Sequence, residues 1–262
     1  MNIYNICNIV FRQDKYKNKD ILWKKFEVYK QDVQCEAFQI TELKKRGVFH
    51  AYEIYNKVQG NIVKLYNDLF LVSEDYKYGW FLDSSNQNNR TWLVLYLFYT
   101  HAVQRHMIQL HSSLIATTDN RGLMFLGPSG IGKTTQAELW HKYRDALIIN
   151  GDIVFVQETE NAFLGWGTPW HGSSPYCENT NVPVEALIVL KQAPENSIRE
   201  LTGFEKVSEV SNSVFYPRWL ENGMELCLET LDHLLSKLPV YELRCRPDED
   251  AVRMTEETIF KN

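Results

Sequence analysis

One eight-residue segment constrains the fold more than any other part of the chain. Residues 127–134 have the sequence Gly-Pro-Ser-Gly-Ile-Gly-Lys-Thr, a complete match to the pattern G-x-x-x-x-G-K-[ST]. Such a loop, called the P-loop below, needs a buried strand before it and a helix after it. The apolar run 121–126 and the helical spacing of 135–143 fit those two neighbours. The sequence therefore predicts a strand–loop–helix unit whose backbone N–H groups wrap a polyphosphate.

The residues of the P-loop are expected to share the binding of a nucleotide. Lys133 is expected to reach the β- and γ-phosphates, and the Thr134 hydroxyl is expected to hold Mg²⁺. The alternative is a glycine turn before a surface helix that carries an ordinary solvated lysine. The predicted nucleotide-binding residues are Gly127, Ser129, Gly130, Ile131, Gly132, Lys133, Thr134 and Thr135.

The composition of the whole chain excludes several classes of protein. A net charge of −5 over 262 residues argues against a general binder of nucleic acid or of membrane surfaces. The five cysteines include no C-x-x-C pair, which argues against a zinc site or a disulfide framework and suits a reducing compartment. The most apolar stretch, 91–103, is too short to cross a bilayer and predicts a buried helix. With no signal peptide visible, we expect a cytoplasmic protein.

The two halves of the chain differ in pattern. Residues 1–83 contain short aromatic and β-branched runs, several with alternating polarity, which predict half-buried antiparallel strands. A polar link and a helix to about Met107 follow, and the next strand is expected to begin at Gln109. The runs assigned to N-terminal strands are 3–11, 33–40, 48–55 and 69–73.

Beyond residue 109, strand-like runs alternate with helical patterns. This order predicts an α/β fold, in which a domain over 109–262 has a mixed sheet with flanking helices. It is preceded by a smaller β-rich domain over 1–108 that ends in a helix. The strand-like runs are 147–150, 153–156, 186–190, 198–201 and 240–245, and the helical patterns after the P-loop helix are 204–214, 219–238 and 248–260.

Asp152 is the candidate carboxylate of the site. It follows the strand-like run 147–150, and ligands of such sheets lie at the carboxyl ends of strands. A P-loop site needs a carboxylate to organise Mg²⁺. The alternative is a turn aspartate in an Asn-Gly-Asp sequence. The short gap from Lys133 is typical of kinases of small substrates and of one further family.

A longer stretch of the sequence points to that further family. In 109–157, His111 at a strand end precedes a β-turn-β unit, the P-loop and then Gly151-Asp152. This run resembles the catalytic domain of the HPr kinase/phosphorylase family and the nucleotide site of the related phosphoenolpyruvate carboxykinases. The resemblance implies a C-terminal P-loop, HPr-kinase-like domain that uses ATP and Mg²⁺. Lys133, Asp152 and His111 would be its catalytic residues, with Thr134 and Asp152 at the metal.

At residue 151 this sequence departs from the pattern of the family. Gly151 stands where the family has the first of two aspartates, which is a candidate catalytic base there. Asp152 is then a candidate for both metal ligand and base, and His111 is the other candidate for the base because imidazole titrates near neutral pH. The alternative for His111 is an ordinary histidine at a strand end.

A loop at 165–175 is the candidate substrate side of the site. It contains three glycines, two prolines and two tryptophans, a composition too irregular for a helix or a central strand. Loops of this kind often form ligand sites on rigid sheets. His171, Ser173 and Ser174 are its candidate substrate residues. The alternative is a surface loop anchored by its aromatic side chains.

These features together predict an ATP- and Mg²⁺-dependent kinase. Its acceptor is expected to be a hydroxyl, with serine of a peptide or protein first, because some HPr-kinase-like proteins phosphorylate ribosomally made peptides. A small-molecule P-loop kinase is one alternative, although its P-loop normally lies near the N-terminus. A nucleotide-binding regulatory module without catalysis is the other, and Gly151 is the feature that would indicate it.

Overall fold

The computed structural model describes residues 2–14, 21–29, 33, 36–43, 60–65, 68–82 and 87–260. The predicted strand over 48–55 lies outside the described residues. The chain divides into two compact units, Met1–Gln104 and Arg105–Asn262. No helix of the described ranges has both the length and the apolar character that crossing a bilayer requires.

The described residues of the unit Met1–Gln104 form a sheet and a long helix. The elements are β1 (Asn2–Ile6), β2 (Ile9–Gln13), a 3-10 helix (Ile21–Phe26), β3 (Glu27–Val28), β4 (Phe38–Leu43), β5 (Gly60–Leu65), β6 (Asp68–Ser73), β7 (Tyr78–Leu82) and α1 (Gln87–Val103). The sheet has the strand order β3-β1-β2-β4-β7-β6-β5.

Three expectations for this unit are corrected. The run 3–11 is a hairpin of β1 and β2 rather than one strand, because Cys7 and Asn8 both have positive φ (50° and 59°) and form a two-residue turn between them. The sheet is not wholly antiparallel either, since β4 runs parallel to both β2 and β7. Helix α1 is buried along Leu93, Val94 and Leu97 and ends at Val103, before the expected Met107.

The unit Arg105–Asn262 is a mixed α/β structure built on one sheet. The elements are β8 (Met107–Ala116), β9 (Gly122–Leu126), α2 (Lys133–Arg144), β10 (Leu147–Asn150), β11 (Ile153–Glu158), β12 (Phe163–Trp166), β13 (Asn181–Gln192), β14 (Ser197–Leu201), α3 (Gly203–Ser211), β15 (Val214–Phe215), α4 (Gly223–Lys237), β16 (Val240–Cys245) and α5 (Glu249–Phe260). Strand β13 runs parallel to β9 and β16, and the other strand pairs are antiparallel.

The sequence prediction missed two strands, β12 and β15, and misplaced several element boundaries here. Gly165 and Trp166 end β12, which lies between β11 and β13 in the sheet, so part of the loop assigned to 165–175 is a central strand. A Cβ at Gly165 would lie 2.9 Å from the Leu114 side chain, so a larger residue there would displace that side chain. Strand β8 begins at Met107 rather than Gln109. Helix α4 begins only at Gly223, and α3 ends at Ser211.

The sheet order brings the P-loop and Asp152 to the same edge. Strand β8 lies between β9 and β10 and is antiparallel to both, so β9 and β10 run parallel. Their last residues, Leu126 and Asn150, pair with Ser112 and Leu114 of β8. The loops that follow β9 and β10 therefore leave the sheet side by side. Helix α2 is fixed over this edge by Trp140, which is 1% exposed in the apolar core.

Candidate functional site

The P-loop has the backbone that an anion site needs. Gly127, Gly130 and Gly132 have φ of 135°, 79° and 114°, values that strain any other residue. Gly132 is the N-cap of α2, no side chain of the described residues caps this helix, and its first turn contains no acidic residue. The first N–H groups and the positive end of the helix dipole are thus available to a negative ligand.

Lys133 is folded over the P-loop. Its Nζ donates to the carbonyl oxygens of Gly127 at 3.0 Å and Pro128 at 3.2 Å, and the residue is only 6% exposed. Burial lowers the pKa of this ammonium group, and the nearby charge of Asp152 acts in the opposite direction. The Ser113 hydroxyl donates to the Lys133 carbonyl oxygen at 2.9 Å and fixes the start of α2 to β8. A positive charge is therefore held at the centre of the loop.

A cavity of about 260 Å³ opens in front of the P-loop. It brings together all three predicted catalytic residues and all three predicted substrate residues. Gly127 is not part of its wall, and Ile131 instead packs against the apolar core. The cavity is lined by His111, Ser129, Gly130, Gly132, Lys133, Thr134, Thr135, Gly151, Asp152, His171, Ser173 and Ser174.

His111 and Asp152 form a contact pair at this cavity. Their Nε2 and Oδ1 atoms are 3.0 Å apart, and both side chains are about one quarter exposed, at 28% and 26%. The backbone fixes both residues, because His111 N donates to Ser213 O at 2.8 Å and Ser112 N donates to Asp152 O at 3.0 Å. The ring of Phe215, itself 43% exposed, lies 6.4 Å from the imidazole. A ligand in the cavity can therefore reach an imidazole–carboxylate pair that is already oriented.

Asn150 is the site residue that sequence reasoning missed. It is completely buried, and its Oδ1 accepts hydrogen bonds from Asp152 N at 2.8 Å and Ile153 N at 3.0 Å. Its Nδ2 donates to the carbonyl oxygens of Thr168 at 2.9 Å and Trp170 at 3.3 Å. One amide thus joins the turn of Asp152 to the loop of His171. The signal that could have identified it is an asparagine at the end of an apolar strand. Interpreting Asn-Gly-Asp as a turn hid this signal.

Two tight turns interlock beside the P-loop. Ser174 N donates to His171 O at 3.0 Å and closes the turn over 171–174, and His171 Nδ1 contacts the Ser174 carbonyl oxygen. A Cβ at Gly172, where φ is 57°, would lie 2.4 Å from Asp152 Oδ2. A Cβ at Gly151 would lie 2.0 Å from Ser174 Oγ. The space that a side chain at 151 would need is therefore filled by Ser174.

A second cavity, of about 320 Å³, lies on the other side of the P-loop. The two cavities share Gly130, Gly132 and Thr135. The rest of the second cavity is less polar, and Gln136 Nε2 donates to Cys245 Sγ at 3.2 Å on its wall. Its remaining lining residues are Ile131, Gln136, Leu190, Lys191, Gln192, Ala193, Cys245, Arg246 and Pro247.

The described residues contain no group of three or more His, Cys, Asp or Glu that could hold a metal ion by themselves. Thr134 and Asp152 do offer oxygen atoms at one cavity, and the Thr134 hydroxyl donates to Gly151 O at 3.3 Å. Mg²⁺ is commonly held by one or two protein oxygens together with the phosphates of its substrate. The donor set therefore fits Mg²⁺ that arrives with a nucleotide.

Comparison with known proteins finds distant similarity to solved structures. No family model matches the sequence, and no curated protein matches it. Among solved structures, the chain is similar to the Hpr(Ser) kinase/phosphatase from Coxiella burnetii, with 12% sequence identity and a TM-score of 0.34. The match covers 59% of this chain and 88% of that one. A similarity of this size assigns no activity, so function is inferred from the residues of the site.

Proposed function

We propose that this protein is a kinase that transfers the γ-phosphoryl group of Mg²⁺-bound ATP to a hydroxyl group, with serine of a peptide or protein as the acceptor. One observation carries the proposal: a single cavity places the open N-terminus of α2 and Lys133 opposite the His111–Asp152 pair. The first side is suited to hold phosphates. The second is suited to take a proton from a nucleophile.

The two cavities suggest how the nucleotide is oriented. Because they meet at Gly130, Gly132 and Thr135, one ligand can occupy both. The polar 260 Å³ cavity suits the phosphates, and the 320 Å³ cavity with Leu190 and Ala193 on its wall suits a nucleoside. The terminal phosphate would then lie on the side of Asp152, away from the nucleobase.

In the proposed reaction, the acceptor oxygen forms a bond to the γ-phosphorus as the bond from that phosphorus to the bridging oxygen of ADP breaks. The hydroxyl proton passes to the His111–Asp152 pair, whose 3.0 Å contact allows either residue to accept it while the other stabilises the result. Lys133 and the N–H groups of the P-loop bind the phosphate oxygens on which negative charge accumulates. The bound Mg²⁺, held by Thr134 and Asp152, would supply further charge neutralisation.

The surroundings of the base favour an acceptor on a polypeptide. The 260 Å³ cavity is open, and the exposed ring of Phe215 stands next to His111 at its edge. A serine side chain could enter while its main chain stays outside, in contact with the aromatic ring. A small metabolite would have little more than the cavity itself to bind.

The test is transfer of label from γ-labelled ATP to free serine, to HPr and to a panel of serine-containing peptides. We expect label on a peptide or protein, and about a 100-fold or greater loss of transfer in Asp152→Asn and in His111→Gln. Asp145→Asn is the matched control, since Asp145 is an exposed residue at the end of α2 whose positive φ asparagine also tolerates. ATP binding without transfer to any acceptor would refute the kinase and favour the binding module.

A further inference from the structure

Ser174 is a buried hydroxyl on the wall of the phosphate cavity. It is 7% exposed, and its Oγ accepts a hydrogen bond from Tyr176 N at 3.3 Å. Among the described residues, its own hydroxyl proton has no acceptor. The cavity is open, so water can accept from this hydroxyl in the free protein, and a ligand that enters the cavity can replace that water. The hydroxyl of Ser174 is therefore a candidate for direct contact with whatever occupies the cavity.

The position of Ser174 specifies which part of a nucleotide it would meet. Ser174 Oγ lies 2.0 Å, and Thr134 Oγ1 lies 3.7 Å, from the point where a Cβ of Gly151 would be. The two hydroxyls thus flank one corner of the cavity. Thr134 directly follows Lys133, the residue that reaches the β- and γ-phosphates in loops of this type. Ser174 faces this corner from the opposite wall, at the end away from the second cavity.

The turn that carries Ser174 is held in place before any ligand binds. Asn150 Nδ2 bonds the carbonyl oxygen of Trp170, just before the turn. Ser174 N closes the turn on His171 O, and Gly172 packs against the carboxylate of Asp152. A donor that is already fixed loses little entropy on binding and is most effective where charge is concentrated.

We infer that the Ser174 hydroxyl donates a hydrogen bond to the γ-phosphate, so that the turn over 171–174 distinguishes a nucleoside triphosphate from a diphosphate. The inference rests on the nucleotide half of the proposed function. It assigns to Ser174 the corner that a side chain at position 151 would otherwise occupy. Gly151 then has a positive role, because it leaves the room in which Ser174 reaches the terminal phosphate.

The test compares two nucleotides by calorimetry in the presence of Mg²⁺: ADP and a non-hydrolysable ATP analogue. In Ser174→Ala we expect the analogue to bind about tenfold more weakly, the effect of one hydrogen bond to a charged group, with the affinity for ADP unchanged. Ser174→Cys keeps the size of the side chain with a weaker donor, and we expect an intermediate loss. Ser208→Ala, an exposed serine of α3, should change neither affinity.

A second variant separates this effect from general damage to the site. Ala193→Trp fills the second cavity, so it should weaken ADP and the ATP analogue by the same factor. Equal losses for both nucleotides in Ser174→Ala, or no loss for either, would overturn the inference. If nucleotides bind with the expected dependence on Ser174 but no acceptor is labelled, only the proposed transfer fails. If the wild-type protein binds no nucleotide, both proposals fail.

Discussion

Replacing Asn150 by alanine tests the architecture of the site most severely. The substitution removes an acceptor for two buried N–H groups, those of Asp152 and Ile153, and a donor to the carbonyl oxygens of Thr168 and Trp170. A typical intramolecular hydrogen bond contributes about 1 kcal/mol net, and a buried group left unpaired costs about 1–3 kcal/mol. Since water can enter to satisfy part of the set, we expect the variant to lose about 3–5 kcal/mol of unfolding free energy.

The assay is urea unfolding followed by tryptophan fluorescence, with hydrogen-exchange mass spectrometry to assign the transition to the unit Arg105–Asn262. Asn161→Ala is the matched control, because Asn161 is exposed and such substitutions usually stay within about 0.5 kcal/mol. The amides of Asp152 and Ile153 should also exchange faster in Asn150→Ala. A loss below about 1 kcal/mol, with these amides still protected, would refute the claim that Asn150 joins the two turns.

The remaining predictions concern a glycine and a histidine. Gly172→Ala and Gly203→Ala both place alanine at positive φ (57° and 53°), but only the first brings a Cβ to 2.4 Å from Asp152 Oδ2, whereas nothing lies within 4 Å of the second. In thermal unfolding we expect Gly203→Ala to lower the free energy of unfolding by about 1 kcal/mol and Gly172→Ala to lower it clearly more. Equal losses would contradict the packing of the turn on Asp152. The hydrogen bond that His233 Nδ1 donates to the Glu158 carboxylate raises the pKa of His233 above its ordinary value of 6.5. The stability that this pair contributes is therefore present below that value and is lost as pH rises through the folded pKa. An NMR titration should show the raised pKa and its return towards 6.5 in Glu158→Gln, and an unchanged midpoint in that variant would exclude Glu158 as the cause.

Local sequence signals predicted the position of the P-loop and of most strands around it. Runs such as 147–150 and 240–245 coincide with β10 and β16, because short runs that contain β-branched and aromatic residues favour strands. The motif predicted a helix directly after the loop, with helical spacing over 135–143, and α2 begins two residues earlier, at Lys133. Features that depend only on residues close together in the sequence could therefore be predicted without the structure.

Features that depend on contacts between residues far apart in the sequence could not be predicted from it. In β12, Gly165 packs closely against the Leu114 side chain of β8, and no local pattern reports that contact. The role of Asn150 depends on Thr168 and Trp170, which reach it through the path of the chain after β12. The closeness of Gly151 and Ser174 is of the same kind. Side-chain chemistry indicated the candidate residues, and tertiary packing determined which of them lie in contact.

The central claim is that the cavity in front of α2 binds a nucleotide through Lys133. Calorimetric titration of the wild-type protein with ATP and Mg²⁺ tests it directly, beside Lys133→Ala and the matched variant Lys142→Ala, an exposed lysine of the same helix. We expect the wild type and Lys142→Ala to bind alike and Lys133→Ala to bind at least about tenfold more weakly, the effect of losing a charge-assisted contact. Absence of binding by the wild type, or equal affinity in all three proteins, would contradict it.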